Sequence, residues 1–152
     1  MLQVIEWIGL LHPMVVHFPI ALLLAAALAE GLVIAGWAPG LAPGVRFCLW
    51  TGALGAVVAA SLGWADAILM AGQTMGFMHT LLTWHRWLGT STAIGAVLTL
   101  VAYEAARRRG GRGRTWYRLG LGLCVLLIAV TGHLGASLVY GWHYLKWPPS
   151  VM

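Results

Sequence analysis

The side chains of this sequence that are best suited to chemistry are its six histidines, which are His12, His17, His79, His85, His133 and His143. Three of them, His17, His85 and His133, fall inside long apolar stretches. An ionisable side chain is costly in a membrane span and therefore indicates a functional site there. Neutral imidazole is an axial ligand of haem iron, and two imidazoles from two helices can hold a planar cofactor between them. We therefore predict His17, His85 and His133 as haem-iron ligands.

Two further side chains fit the same chemistry. Arg86 follows His85 in the sequence and could pair with a haem propionate. Asp66 falls near the same level and could orient an imidazole N–H. We predict His17 and His85 as one axial pair, with His133 either completing that pair or binding a second haem.

The remaining histidines have simpler interpretations beside a role in the site. His12 precedes a proline, so it could bind the cofactor or merely begin the first helix. His79 is expected in a loop and His143 at the membrane interface. All of the histidines inside spans could instead be satisfied by hydrogen bonds between helices.

The elements that must position these histidines are membrane helices. The chain is 61% hydrophobic and 9% charged, with a mean hydropathy of +0.85, and a spanning helix needs about 20 mostly apolar residues. Four such runs are predicted, approximately at residues 14–37, 45–70, 83–106 and 116–140. They predict an all-α fold, an integral membrane four-helix bundle with up-down-up-down topology that forms a single domain over residues 1–152. Pro19 falls inside the first run and predicts an irregularity there.

The distribution of charge predicts how this bundle is oriented. Six of the nine Lys and Arg residues lie between Arg107 and Arg118, and Arg46 lies beside the first loop. The positive-inside rule places both loops in the cytoplasm. Both termini and all six histidines then face the outer, periplasmic side of a bacterial inner membrane. The net charge of +5 is thus a topology signal and does not indicate nucleic-acid binding.

The two cysteines, Cys48 and Cys124, form no CxxC or CxxCH motif. This disfavours covalent c-type haem and a cysteine-based zinc site. The haem that we predict is therefore a noncovalent, b-type haem.

Several segments carry a family resemblance. Residues 12–22, HPMVVHFPIAL, resemble the HPxxVHFPIAL opening of a bacterial four-helix membrane family known only as a domain of unknown function. Three further segments agree with the family in the same order. They are GW at 63–64, HRWLG at 85–89 and GHLGASLVYG at 132–141. The resemblance covers nearly the whole chain and implies four spans. Some relatives look like membrane modules attached to c-type cytochrome domains, which implies redox work near the outer face.

The leading hypothesis is a b-type cytochrome subunit with one or two haem b groups, carrying electrons from quinol to a periplasmic c-type cytochrome. It would be an electron-transfer or non-catalytic subunit of a larger membrane oxidoreductase complex, surrounded by lipid, and quinone is a further candidate ligand. One alternative is a copper or zinc membrane protein that uses the same histidines. The other is a structural anchor subunit without a cofactor of its own.

Overall fold

The computed structural model describes residues 7–72 and 74–145, with backbone alone at residues 69–71. Its helices are α1 (His12–Val15), α2 (His17–Ile34), a 3₁₀ turn (Pro39–Leu41), α3 (Ala42–Ala71), α4 (Gly76–Arg108) and α5 (Arg114–Tyr140). Four stretches are long and apolar enough to cross a membrane: Trp7–Ile34, Pro39–Ile68, Phe77–Arg108 and Arg114–Tyr140. The predicted all-α, four-helix membrane bundle is confirmed.

The helix ends differ from the predicted boundaries where glycines set the turns. The first span ends at Ile34 rather than near residue 37, because Gly36 adopts a left-handed φ of 72° and Trp37 N–H bonds back to Leu32 C=O. This is the usual C-terminal stop of a helix. The third span begins earlier than residue 83, because α4 starts at Gly76 after the extended Met75. The predicted loop over residues 71–82 is therefore largely helical.

The irregularity predicted near Pro19 is present just before it. Helix α1 ends at Val15, Val16 lies between the two helices, and α2 begins at His17. Proline has no N–H to donate and is tolerated in the first turn of a helix, so Pro19 sits where α2 starts. Val16 keeps helical backbone angles of φ −60° and ψ −30°, so His12 and His17 follow nearly one helical path.

The four spans form an antiparallel ring. Helix α2 packs against α3, α3 against α4, α4 against α5, and α5 closes the ring against α2. Small buried residues such as Ala26, Ala53 and Ala96 lie where the helices meet. An ideal Cβ on Gly52 would come within 3.1 Å of the Leu23 side chain, so α2 and α3 approach closely. Small residues have this role in membrane helix packing.

The outer surface of the ring is apolar. Large side chains such as Leu28, Leu98 and Leu126 are well over half exposed. A helix that is hydrophobic all round belongs in a core or a membrane. This surface therefore faces lipid.

Charged groups gather at the end of the ring opposite the histidines. The buried Glu30 accepts hydrogen bonds from Tyr117 Oη and Arg118 Nε, each at 2.7 Å. Glu104 accepts hydrogen bonds from Arg46 and Arg107. Both carboxylates are thus paired, as membrane-embedded charges require.

Candidate functional site

A cavity of about 420 Å³ opens among the four spans at the end away from the arginine cluster of residues 107–118. We call it the histidine cavity. Its charged and histidine lining residues are His12, His17, Asp66, His85 and Arg86, and most of the remaining wall is apolar. Cofactor and ligand sites have volumes of roughly 300–1,000 Å³ and a few polar groups in an apolar wall. The cavity has both properties.

His12 reaches into the cavity from α1 and is held by α3. Its Nδ1 lies 2.9 Å from Ala59 C=O. The ring packs against Gly63, where an ideal Cβ would lie 2.9 Å from His12 Cε1. Only glycine leaves room for the imidazole at this position in α3.

His85 is held in the same way by the next pair of helices. Its Nδ1 lies 3.0 Å from Thr131 C=O of α5. An ideal Cβ on Gly135 would lie 3.0 Å from His85 Cε1. Each of the two imidazoles therefore has a backbone carbonyl and a glycine of the neighbouring helix as its support.

These hydrogen bonds fix which ring nitrogen carries the proton. A carbonyl oxygen only accepts, so Nδ1 of His12 and of His85 must be the donor. In the neutral rings Nε2 then keeps its lone pair. Among the residues that the structure describes, neither Nε2 has a hydrogen-bond partner. The two ring centres are 6.2 Å apart and the ring planes meet at 77°.

His17 lines the same cavity, and its side chain is exposed. Its Nδ1 bonds to Pro13 C=O at 2.7 Å, within its own span. The same argument leaves Nε2 of His17 with a free lone pair. The structure thus brings three histidines to one cavity, but the pair in ring contact is His12 and His85.

Arg86 is the cation of the cavity. Its guanidinium carbon lies 4.4 Å from the centre of the Trp64 ring, a cation–π contact. Trp64 is itself fixed, because its Nε1 donates to Thr90 Oγ1 at 3.0 Å. The Nε of Arg86 is buried and has no hydrogen-bond partner in the described part of the chain. A buried donor of this kind is costly unless a ligand satisfies it.

Asp66 is the anion of the cavity and lies within electrostatic range of both His12 and His85. Its backbone is approached closely by Gly9, where an ideal Cβ would lie 3.0 Å from Asp66 Cα. The segment before α1 is thereby held against the end of α3. Asp66 makes none of the hydrogen bonds that support the two imidazoles, which go to carbonyls instead.

His133 lies outside the histidine cavity. Its Nδ1 is 3.0 Å from Tyr144 Oη, and its ring packs against Trp142 and Tyr144 with ring centres 5.7 and 5.6 Å apart. His79 and His143 are exposed and do not line the cavity either. His133, which was predicted as a ligand, therefore shares no cavity with His12, His17 and His85.

Other metal chemistry was also open from the sequence. Over residues 7–72 and 74–145, no three His, Cys, Asp or Glu side chains form a group that could hold a metal ion. The sequence did not identify the groups that support the two imidazoles. These groups are Gly63, Gly135 and the carbonyls of Ala59 and Thr131. The only sequence signal for them was that both glycines fall in motifs shared with the family.

The fold and the site define a class, a four-helix membrane protein with a histidine-lined cavity at one end of its bundle. The chain belongs to the family described as predicted membrane protein (DUF2231), whose model matches residues 10–144. The family resemblance noted in the sequence is thereby confirmed. No curated protein and no solved structure matched the chain.

Proposed function

We propose that this membrane protein binds haem b in the histidine cavity and carries electrons as a subunit of a membrane redox complex. One observation carries the proposal. His12 and His85, from two different spans, meet in one cavity, and each has Nδ1 committed to a carbonyl and Nε2 free. Metal-binding histidines commonly have this arrangement, because a hydrogen bond from the second nitrogen fixes the ring and its tautomer.

The donor set fits an iron porphyrin. The ring centres of His12 and His85 are 6.2 Å apart, and these two imidazoles would hold the haem iron through their Nε2 atoms. The apolar wall suits the face of a porphyrin. Arg86 lines the cavity and its guanidinium would suit a propionate, since guanidinium and carboxylate form strong charge-assisted hydrogen bonds.

This geometry favours His12 as the partner of His85 where the sequence suggested His17. His17 lines the cavity but is exposed at its opening. It remains a candidate for replacing His12 as a ligand. A second haem at His133 receives no support from the contacts of that ring.

A copper or zinc site receives less support than haem. Zinc in proteins is almost always held by three or four side chains. The part of the chain that the structure describes holds no group of three suitable ligands. Two histidines would suffice to hold haem, because the porphyrin supplies the iron's other ligands.

The direction of electron flow is inferred from charge. Haem, when bound, supplies a one-electron centre. The cavity lies at the end opposite the arginine cluster of residues 107–118. The positive-inside rule places that cluster in the cytoplasm. A periplasmic c-type cytochrome is then the natural acceptor. Quinol dissolved in the surrounding membrane is the corresponding donor.

A structural anchor without a cofactor is the second candidate function. The hydrogen bonds from His12 to α3 and from His85 to α5 join helices directly, which is what a purely structural histidine would do. The unpartnered Arg86 Nε is the observation that this alternative leaves unexplained.

The first test is a reduced-minus-oxidised visible spectrum of the detergent-purified protein, with pyridine extraction to count haem. A sharp b-type α band at one haem per chain is expected. A flat spectrum from a folded sample expressed with ample haem would reject the cofactor and leave the anchor function. Metal analysis of the same sample would test the copper or zinc alternative.

A further inference from the structure

The loop between α4 and α5 carries arginines that the fold does not use. We define the arginine loop as residues 108–114, with Arg108, Arg109, Arg112 and Arg114. Nearby arginines are paired: Arg46 and Arg107 with Glu104, and Arg118 with Glu30. No ion pair joins the four loop arginines to an acidic residue in the described ranges.

The remaining described carboxylate cannot reach this loop. Asp66 lies in the histidine cavity at the opposite end of the bundle. Glu30 and Glu104 are already engaged. The loop therefore presents four exposed positive charges that no described residue neutralises.

The loop backbone is compact rather than extended. Gly110, Gly111 and Gly113 adopt left-handed φ values of 63°, 91° and 83°, which glycine reaches without steric cost. Gly111 N–H bonds to Ala106 C=O at 2.8 Å, and the Arg114 guanidinium folds onto Gly111. This backbone concentrates the four charges at the end of the bundle.

The position of the loop determines which anions it can meet. Only residues 109–113 connect α4 to α5, so the guanidinium groups stay close to the membrane surface. Trp116 and Trp37, both largely exposed, lie at the same end, and tryptophan is typical of the membrane–water interface. The arginines are thus at the level of lipid headgroups.

We propose that the arginine loop is a binding site for anionic phospholipid headgroups. Arginine binds phosphate oxygens through a planar, bidentate donor set. A basic residue next to an anionic membrane contributes about fivefold in affinity. A compact loop of four arginines selects a phosphatidylglycerol headgroup over a zwitterionic one.

The test is electron paramagnetic resonance of spin-labelled phosphatidylglycerol and phosphatidylcholine around the native protein in phosphatidylcholine bilayers. The ratio of the two association constants is expected to be at least about fivefold at low salt, and to fall toward one in high salt because such interactions are screened. Replacing all four loop arginines by Gln should bring the ratio to about one. Replacing them by Lys should keep most of the preference.

A single-site comparison provides a matched control. Both changes remove one positive charge, but Arg109→Gln should lower the ratio more than Arg107→Gln, because Arg107 Nε is already engaged by Glu104 and is not free to bind a headgroup. A native ratio near one, or a ratio that the four Gln substitutions leave unchanged, would overturn the proposal. So would tight binding of an acidic peptide in detergent without any phosphatidylglycerol preference, since that would assign the loop to a protein partner.

Discussion

His12 and His85 meet edge to face with their ring centres 6.2 Å apart, although they belong to the first and third spans. Each is held by a carbonyl of a different neighbouring helix. The pair therefore ties all four spans together at one end of the bundle. Helix packing alone does not require imidazoles with free Nε2 atoms at a shared cavity.

The first prediction concerns His85, whose side chain is partly buried. His85→Ala removes the Nε2 ligand and should abolish the b-type α band in the reduced-minus-oxidised spectrum. If His17 does not replace the lost ligand, His12→Ala should also abolish the α band or give the spectrum of five-coordinate haem. Haem content is measured by pyridine extraction.

His79→Ala is the matched control, because this exposed histidine lies on α4 near His85 but outside the cavity. It should retain full haem content. An equal loss in His79→Ala would mean that the effect of His85→Ala reflects misfolding. Normal haem content in His85→Ala would remove His85 from the ligands.

The second prediction separates His133 from the cavity. His133 is bonded to Tyr144, so His133→Ala should keep the haem of the histidine cavity and its α band. Tyr144→Phe removes only the hydroxyl and should behave alike. Loss of one of two haems in His133→Ala would instead establish the second-haem role that the sequence suggested.

The third prediction uses the glycine beneath His85. Gly135→Ala would place a methyl group about 3.0 Å from His85 Cε1, and overpacking of this kind typically costs about 1–3 kcal/mol. The variant should unfold at lower temperature in detergent and retain less haem than the native protein.

Gly122→Ala is the control on the same helix, because nothing lies within 4 Å of its ideal Cβ. It should be neutral or stabilise α5 by about 0.5–1 kcal/mol through reduced backbone freedom. Equal behaviour of the two variants would show that Gly135 does not position the His85 ring.

Much of the fold could be predicted from the sequence, because four apolar runs of spanning length leave a membrane bundle as the only arrangement. The ends of the helices were less predictable. Gly36 and Gly76 determine where a helix ends or begins, because both adopt left-handed φ values. Nothing in the sequence distinguishes these two glycines from the glycines inside helices. Local turn geometry is decided by contacts that composition does not record.

The site was predictable in part. The depth of each histidine follows from its place in a span, so a cluster at one end was evident. The pairing depends on rotation about each helix axis. Helical backbone angles continue through Val16, so His12 and His17, five residues apart, point in directions that differ by about 140°, and His12 is the one whose ring contacts His85. His133 has the expected depth, but its ring is engaged by Trp142 and Tyr144.

The fourth prediction concerns the buried carboxylate at the arginine end. Glu30→Gln leaves the partly buried Arg118 without its counter-charge, and the loss of such a charged hydrogen bond costs about 1–3 kcal/mol. Glu104→Gln should cost less, about 0–1 kcal/mol, because Arg46 and Arg107 are about half exposed and can turn to water. Denaturation in detergent measures both. Neither change should alter the haem spectrum, and a spectral change would contradict the separation of the two ends.

The last prediction fixes the side of the membrane on which the cavity opens. Single cysteines can be placed at Arg112 in the arginine loop and at Thr80 near the histidine end, and both positions are exposed. In intact bacterial cells, a membrane-impermeant maleimide should label Thr80→Cys and spare Arg112→Cys until the cells are opened. The native Cys124 is buried, and the unmodified protein gives the background from Cys48. The reverse labelling pattern would place the cavity on the cytoplasmic side. A periplasmic cytochrome could then not be the acceptor, although the haem site itself would stand.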